Sequence, residues 1–316
     1  MRHFLDFEKP IAELEGKIEE LRRMSEPDGI NIAEEVGRLT DKADRQLRAT
    51  YAKLTAWQKT QVARHPDRPR ALTYIDALIT EFTPLAGDRA FADDMAVVGG
   101  MGRFRGHSVV VLGTEKGTDT DTRVKHNFGM ARPEGYRKAV RLMQLADRFG
   151  LPVVTLVDTA GAFPGVDAEE RGQAEAIARA TEASLSLGVP SISVILGEGG
   201  SGGAIAIASC NRVLMLEHAI YTVASPEASA SILWRDASRA EDAATNMKIT
   251  AQDLLKFGII DSIVVEPAGG AHRDPDTAIN AVGDAIATAL DEFWGMSPAE
   301  IRASRTAKFL NIGRKI

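Results

Sequence analysis

A single cysteine, Cys210, stands in 316 residues, which excludes an internal disulfide and leaves no cysteine cluster for a structural zinc. Long apolar runs are missing too. No stretch reaches the roughly 20 residues that a transmembrane helix needs, so no membrane role is expected. Positive charge is not in excess: 38 Lys and Arg face 44 Asp and Glu, a net charge of −6. A generic nucleic-acid binder would carry a net basic footprint, so no nucleic acid is expected as a partner in catalysis. The six histidines show no spacing with Asp or Glu that suggests a metal site. The opening residues Met1-Arg2-His3-Phe4-Leu5-Asp6-Phe7-Glu8 lack the apolar core of a signal peptide, and the expected compartment is the cytoplasm.

What remains is an ordinary soluble composition, 44% hydrophobic and 26% charged, in a chain long enough for one large domain or two small ones. In residues 1–70, Ile11, Leu14, Ile18 and Leu21 recur at helical spacing, and Val36, Leu39, Leu47, Tyr51 and Leu54 continue the pattern. Ser25-Glu26-Pro27-Asp28-Gly29 between them is a turn signal. The segment reads as a pair of amphipathic helices, packed either on the chain's own body or against a partner, because a helical hairpin has little core of its own.

Further on, β-branched runs at Ala96–Gly100 and Ser108–Gly113 flank a turn at Arg105-Gly106-His107. A helix is expected from Pro133 to Phe149, with Pro133 in its first turn. Then follow a strand at Pro152–Val157, a helix at Ala168–Leu187, a strand at Ser191–Leu196, a short helix at Gly202–Ser209 and a strand at Arg212–Leu216. This alternation indicates an α/β layer fold with crossover connections, and strands apolar on both faces fit a sheet covered on both sides. A last amphipathic helix is expected at about Thr277–Phe293. The tail beyond it, with Arg302, Arg305, Lys308, Arg314 and Lys315, is basic and expected to be loosely held. The division is 1–70 as a helical segment, 71–295 as the main domain and 296–316 as the tail.

Two glycine-rich segments sit at strand-to-helix junctions: Asp158-Thr159-Ala160-Gly161-Ala162-Phe163-Pro164-Gly165 and Gly197-Glu198-Gly199-Gly200-Ser201-Gly202-Gly203-Ala204. Glycine there lets the backbone approach a ligand closely, and helix N-terminal N–H groups favour negative charge. The second segment alone fits three readings. Gly197 to Gly202 satisfies the dinucleotide pattern, with Glu217 placed as a ribose-binding acid. Gly199 to Gly203 satisfies the hydrolase elbow around Ser201, with Asp261 and His272 following in triad order. The same backbone also serves as a bare oxyanion hole. His126 and His218 read as surface or satisfied residues.

At these residues the sequence resembles the alpha-subunit family of acetyl-CoA carboxylase carboxyltransferases, the bacterial and plastid type with separate subunits. The stretches that carry the resemblance include Phe4 to Ile11, Ala63-Arg64-His65-Pro66, Leu85 to Arg89, Asn127-Phe128-Gly129-Met130, Pro133 to Ala139 and Ala168 to Gln173. Gly197 to Ala204, Ser231-Ile232-Leu233-Trp234 and Gly269-Gly270-Ala271-His272-Arg273 continue it. The resemblance implies a crotonase-like (ClpP/crotonase) β-β-α superhelix with an N-terminal helical extension. It implies transfer of a carboxyl group from carboxybiotin, held on a biotin carboxyl carrier protein, to acetyl-CoA. The product is malonyl-CoA, in the first committed step of fatty acid biosynthesis. It further implies a carboxyltransferase beta subunit in an α2β2 heterotetramer, biotin carboxylase in the larger complex, and no metal in this chain.

By the same resemblance, Gly202 and Gly203 supply backbone oxyanion donors, and Gly161, Ala162, Gly165, Gly199, Gly200 and Ser201 line the substrate pocket. Both the enolate of the acetyl group and the ureido oxygen left by loss of CO2 are oxyanions that want preorganised N–H donors. The biotin itself can take the methyl proton, so no side-chain base is required. Another crotonase-type acyl-CoA carboxyltransferase or hydratase, or a non-catalytic docking subunit, are the alternatives. The chain departs from the family pattern at Ala160 and Phe163, where the family has proline and tyrosine, at Thr118-Asp119, where it has Arg-Glu, and at Ala228-Ser229, where it has Gly-Cys.

Overall fold

The computed structural model describes residues 3–24 and 32–314. The chain opens with α1 (Lys9–Met24) and α2 (Ile32–Tyr51), which pack on each other, then α3 (Ala56–Ala63) and α4 (Ala71–Leu78). The turn expected at Ser25–Gly29 falls outside the described residues. Ile18, Leu39 and Ala43 form one small apolar cluster between α1 and α2. Ile11, Leu47, Tyr51 and Val62 form a second, which ties the hairpin to α3. The spacing read from the sequence is that of these two clusters.

The main body is one eight-stranded sheet. Its first strands are β1 (Ile79–Pro84), β2 (Val97–Phe104) and β3 (His107–Thr114), antiparallel neighbours joined at Arg105-Gly106. After α5 (Thr120–Lys125) and α6 (Pro133–Phe149) come β4 (Val153–Thr159), α7 (Val166–Glu170), α8 (Gln173–Ser186), β5 (Ser191–Gly200) and α9 (Ser201–Ala208). Then follow β6 (Arg212–Leu216), β7 (Ile220–Thr222), α10 (Pro226–Trp234), α11 (Ala240–Asn246), α12 (Ala251–Lys256) and β8 (Ser262–Val264). Two helices, α13 (Pro275–Asp291) and α14 (Pro298–Asn311), close the chain. The sheet order is β1-β2-β3-β4-β5-β6-β8, with β7 paired to the far end of β5.

Helices cover both faces. On β3, a Cβ at Gly113 would meet Ala71 of α4, while across the sheet Gly99 of β2 lies against Leu142 of α6. Adjacent strand residues point to opposite faces, so α4 and α6 lie on opposite sides. Every residue of β4 and β5 is buried as a result. The largest apolar cluster fills both layers, from Tyr74 and Ile286 on one side to Leu142 and Met143 on the other.

Three local expectations change. The single helix expected at Ala168–Leu187 is two, because Gly172 takes a left-handed conformation (φ 83°) between α7 and α8. There Arg171 turns its guanidinium onto Glu134, and the Gln173 amide donates to the carbonyls of Ala131 and Phe163. The second glycine-rich segment is not a loop: β5 runs on through Gly200, and the helix starts at Ser201. Finally, the basic tail is not loose where it is described. Arg305 of α14 is fully buried and donates to the carbonyls of Leu185, Leu187 and Val189, to Ser191 Oγ and to Asn211 Oδ1. Lys308 pairs with Asp261. Composition read the charge correctly and missed that backbone carbonyls would claim it. Lys315 lies outside the described residues.

Candidate functional site

The two glycine-rich segments touch each other. An added Cβ on Gly200 would stand 2.1 Å from the Ala160 carbonyl oxygen, and one on Gly203 2.7 Å from the Gly161 carbonyl carbon and 2.9 Å from the Ala162 nitrogen. No side chain fits at either position while the backbones keep this approach. Gly199 is closed in a different way: its Cβ would lie 2.8 Å from the Tyr221 ring on β7. Gly165 makes room for an aromatic ring, since a Cβ there would sit 2.1 Å from Phe163. The Arg132 guanidinium covers that ring at 4.5 Å and pairs with Asp167.

The backbone donors differ in availability. Gly161 (φ 147°) already gives its N–H to Thr159 Oγ1 at 3.1 Å, and the Thr159 hydroxyl donates to the Gly161 carbonyl at 2.8 Å. Phe163 gives its N–H to the Ala131 carbonyl. The first turn of α9 is different. An α-helix leaves its first four N–H groups without an intrahelical partner, and Gly200 at the N-cap contributes no side-chain bond. The amides of Gly202 and Gly203 belong to this uncapped first turn. Ser201 carries φ 51°, a left-handed conformation costly for a residue with a Cβ. Such strain persists only where the surroundings fix it.

Beneath the two segments runs a buried charge network that the sequence patterns did not single out. Lys116 Nζ lies 2.8 Å from Asp158 Oδ1 and 2.5 Å from Glu198 Oε2. Arg70 donates to Asp158 Oδ2 at 2.7 Å, and Arg64 Nε to Glu198 Oε1 at 2.7 Å. Arg64 also reaches Glu227 at the start of α10, at 2.5 Å. Burial alone would push the Asp158 carboxyl up, but the charges of Lys116 and Arg70 outweigh it and hold the group at about 2. Glu198 is held low by Lys116 and Arg64 against the same burial. Nearby, Arg68 and Glu266 form a fully buried two-pronged pair at 2.6 and 2.8 Å, and Arg68 Nε donates to the Leu196 carbonyl. The signal in the sequence was a lone Asp at the end of an apolar strand, with three arginines packed into Arg64–Arg70. Those arginines precede the division at residue 71 and reach into the sheet.

The rival readings of the second segment find no support. Gly197 and Gly199 of the dinucleotide pattern are strand residues of β5, where Glu198, Gly199 and Gly200 pair with Ile220, Tyr221 and Thr222. Glu217 is occupied elsewhere, accepting the Glu266 N–H. The triad is not assembled: Asp261 holds the Val213 N–H and Lys308, and His272 stacks on His65 with ring centroids 3.7 Å apart. Burial first, then the neighbouring His65, Arg68 and Arg273, holds His272 at about 2, so it is no base near neutral pH. His126 is satisfied by the Met95 carbonyl, whereas His218 is neither at the surface nor satisfied: it is buried edge-on against Tyr51 with its Nδ1 unpartnered. Among the described residues, no group of three or more His, Cys, Asp or Glu could hold a metal ion. No helix there is long and apolar enough to cross a membrane.

The family model described as acetyl co-enzyme A carboxylase carboxyltransferase-like matches residues 4–313. The chain belongs to that family. A relative from Beijerinckia indica, named acetyl-coenzyme A carboxylase carboxyl transferase subunit alpha, is 68% identical over the whole of both chains. One of the same name from Methylobacterium is 67% identical over the same share. Among solved structures, the transcarboxylase 12S hexamer has a TM-score of 0.58 at 19% identity, covering 72% of this chain and 42% of that one. A Pseudomonas malonate decarboxylase hetero-tetramer has a TM-score of 0.59 at 17% identity, covering 75% and 91%. At such identities the likeness concerns the fold, which is crotonase-like α/β. The family is one of biotin-dependent transferases, with biotin carried on a separate protein and a beta subunit as partner.

Proposed function

We propose that this chain is the alpha half of a two-subunit site that carboxylates acetyl-CoA to malonyl-CoA, for fatty acid biosynthesis in the cytoplasm. One observation carries the reading of the site: the amides of Gly202 and Gly203 lie in the uncapped first turn of α9, and Gly203 is pressed against the Gly161–Ala162 backbone with no room for a Cβ. A rigid pair of N–H groups at a helix N-terminus suits a carbonyl oxygen that gains negative charge. The ureido oxygen of biotin is such an atom, so the cradle fits the group. When bound, carboxybiotin on its carrier supplies the carboxyl group.

The chain's own residues do the rest. Gly202 and Gly203 hold the ureido oxygen and stabilise charge as it develops there. Gly199, Gly200 and Ser201 set the backbone path of that wall. Gly161, Ala162 and Gly165 form the opposing wall, where Phe163 stands half-buried under Arg132. The carboxylate beside the first turn, Asp167, would stand 2.6 Å from a Cβ on Gly165 and is paired with Arg132, and the reading assigns no side-chain base to the methyl proton. The acyl-CoA and the second set of oxyanion donors belong to the beta subunit, and the complex is α2β2. The α1–α2 hairpin, with its small core, supplies part of that interface.

The test is reconstitution. The purified chain is mixed with its beta subunit, and carboxyl transfer from carboxybiotin to a series of acyl-CoAs is followed. Malonyl-CoA formation only in the mixture is the expected result. Robust formation by the isolated chain, or a preference for a longer acyl group, overturns the corresponding part of the proposal.

A further inference from the structure

The ladder between β4 and β5 breaks just below the glycine turns. Val157 pairs with Ile195, and the next pair is Thr159 with Gly199, so β4 advances two residues while β5 advances four. Leu196, Gly197 and Glu198 therefore have no partner in β4. At the same place β5 changes its other neighbour: β6 pairs with it as far as Ile195, and β7 takes over at Glu198. A buried backbone without a ladder needs other partners. Side chains provide them. Arg68 Nε donates to the Leu196 carbonyl at 2.7 Å, and Asp158 Oδ1 accepts the Glu198 N–H at 2.9 Å. Gly197 admits this carboxylate, since a Cβ there would lie 2.7 Å from Asp158 Oδ1.

We propose that Asp158, Lys116 and Glu198 are positioning residues: Asp158 replaces the missing ladder bond, and Lys116, clamped between the two carboxylates, fixes the spacing of the Gly161 and Gly203 turns. The inference rests on the assignment of those turns as the walls of the site. Asp158 lies three residues before Gly161, and Glu198 five before Gly203. A single ammonium therefore spans the roots of both walls. Arg64 carries the alternation of charge onward, from Glu198 to Glu227 at the N-terminus of α10. Gly129, in a left-handed turn (φ 76°), packs against the Lys116 stem and the Asp158 carbonyl and leaves neither room to swing. The geometry required of oxyanion donors is narrow, and misplacement by about 1 Å can cost about 100-fold in rate.

The experiment uses the reconstituted complex with the beta subunit. Asp158→Ala, Asp158→Asn, Lys116→Met and Glu198→Gln are compared for kcat, for KM toward acetyl-CoA, for assembly by sedimentation and for circular dichroism. Expected are assembled complexes whose kcat falls about 10- to 100-fold, with KM for acetyl-CoA within about two-fold of the parent. Asp158→Asn should recover part of the loss relative to Asp158→Ala, because its amide oxygen still accepts the Glu198 N–H. If Asp158→Ala does not fold, Lys116→Met and Glu198→Gln carry the same readouts. Unchanged kcat in the folded variants overturns the proposal, and so does a kcat loss that only follows loss of assembly. Gly203→Ala is the control for the underlying site. If it too is fully active, the assignment of the turns has failed. If it is impaired while the ladder variants are not, only the ladder has failed.

Discussion

Gly203 stands so close to Gly161 that a methyl group on the first would overlap the carbonyl carbon of the second, at 2.7 Å. One turn belongs to the helix after β5, the other to the loop after β4. Their contact makes each the mould of the other, and residue type matters there as space.

Gly203→Val should therefore lose about 10²–10³-fold in turnover in the reconstituted complex, the usual cost of one displaced oxyanion donor. Circular dichroism distinguishes this from unfolding. Ser201→Ala should keep most activity, because the main chain does the work. A dead Ser201→Ala beside an active, folded Gly203→Val would refute the oxyanion assignment.

Ser201→Gly makes a separate point. The left-handed conformation at φ 51° is free to glycine and strained for serine. The relieved strain, about 1–2 kcal/mol, exceeds the roughly 0.5–1 kcal/mol of added unfolded-chain freedom, so the substitution should raise stability by about 0.5–1 kcal/mol in urea unfolding, and a loss of stability would contradict the strain.

Arg305→Met should destabilise the chain by about 3 kcal/mol, since it strands buried carbonyls at Leu187 and Val189. Arg305→Lys should rescue little, because one ammonium cannot reproduce a planar fork that serves five acceptors. Denaturant midpoints check both.

Acid should unfold the protein in a defined window. Asp158 and Glu266 are each held at about 2 in the folded chain, below their ordinary values of 3.8 and 4.5. Depressed carboxyls give stability that is complete above their unfolded values and is lost as pH falls toward the folded ones. Stability should therefore decline between about pH 4.5 and 2, with proton uptake on unfolding at pH 3. A flat stability profile across that window would contradict the pairing.

Much of the sheet was legible from local chemistry. Pro133 and the apolar stripe Ala139, Leu142, Ala146 marked α6 to the residue, because a first-turn proline and a periodic face act over short range. The β-branched runs marked β2 and β3 for the same reason. Arg305 was not legible, since its acceptors are carbonyls of distant segments, and composition makes an arginine look like surface. Lys116, Asp158 and Glu198 were hidden likewise: each is ordinary alone, and only the break in the β4–β5 ladder brings them together. The glycine segments were visible as a pattern, yet their contact was a property of two strands and not of either motif.

The acceptors of Arg305 precede it by 94 to 120 positions. A ribosome adding about 5–20 residues each second needs roughly 5–24 s to cover such a distance. Throughout that interval the backbone leading into β5 stands with its oxygens unclaimed by Arg305, while the remaining strands, β5 to β8, are being made. The nascent chain is thus at its most vulnerable late, and the final helix acts as a keystone set after the arch is raised.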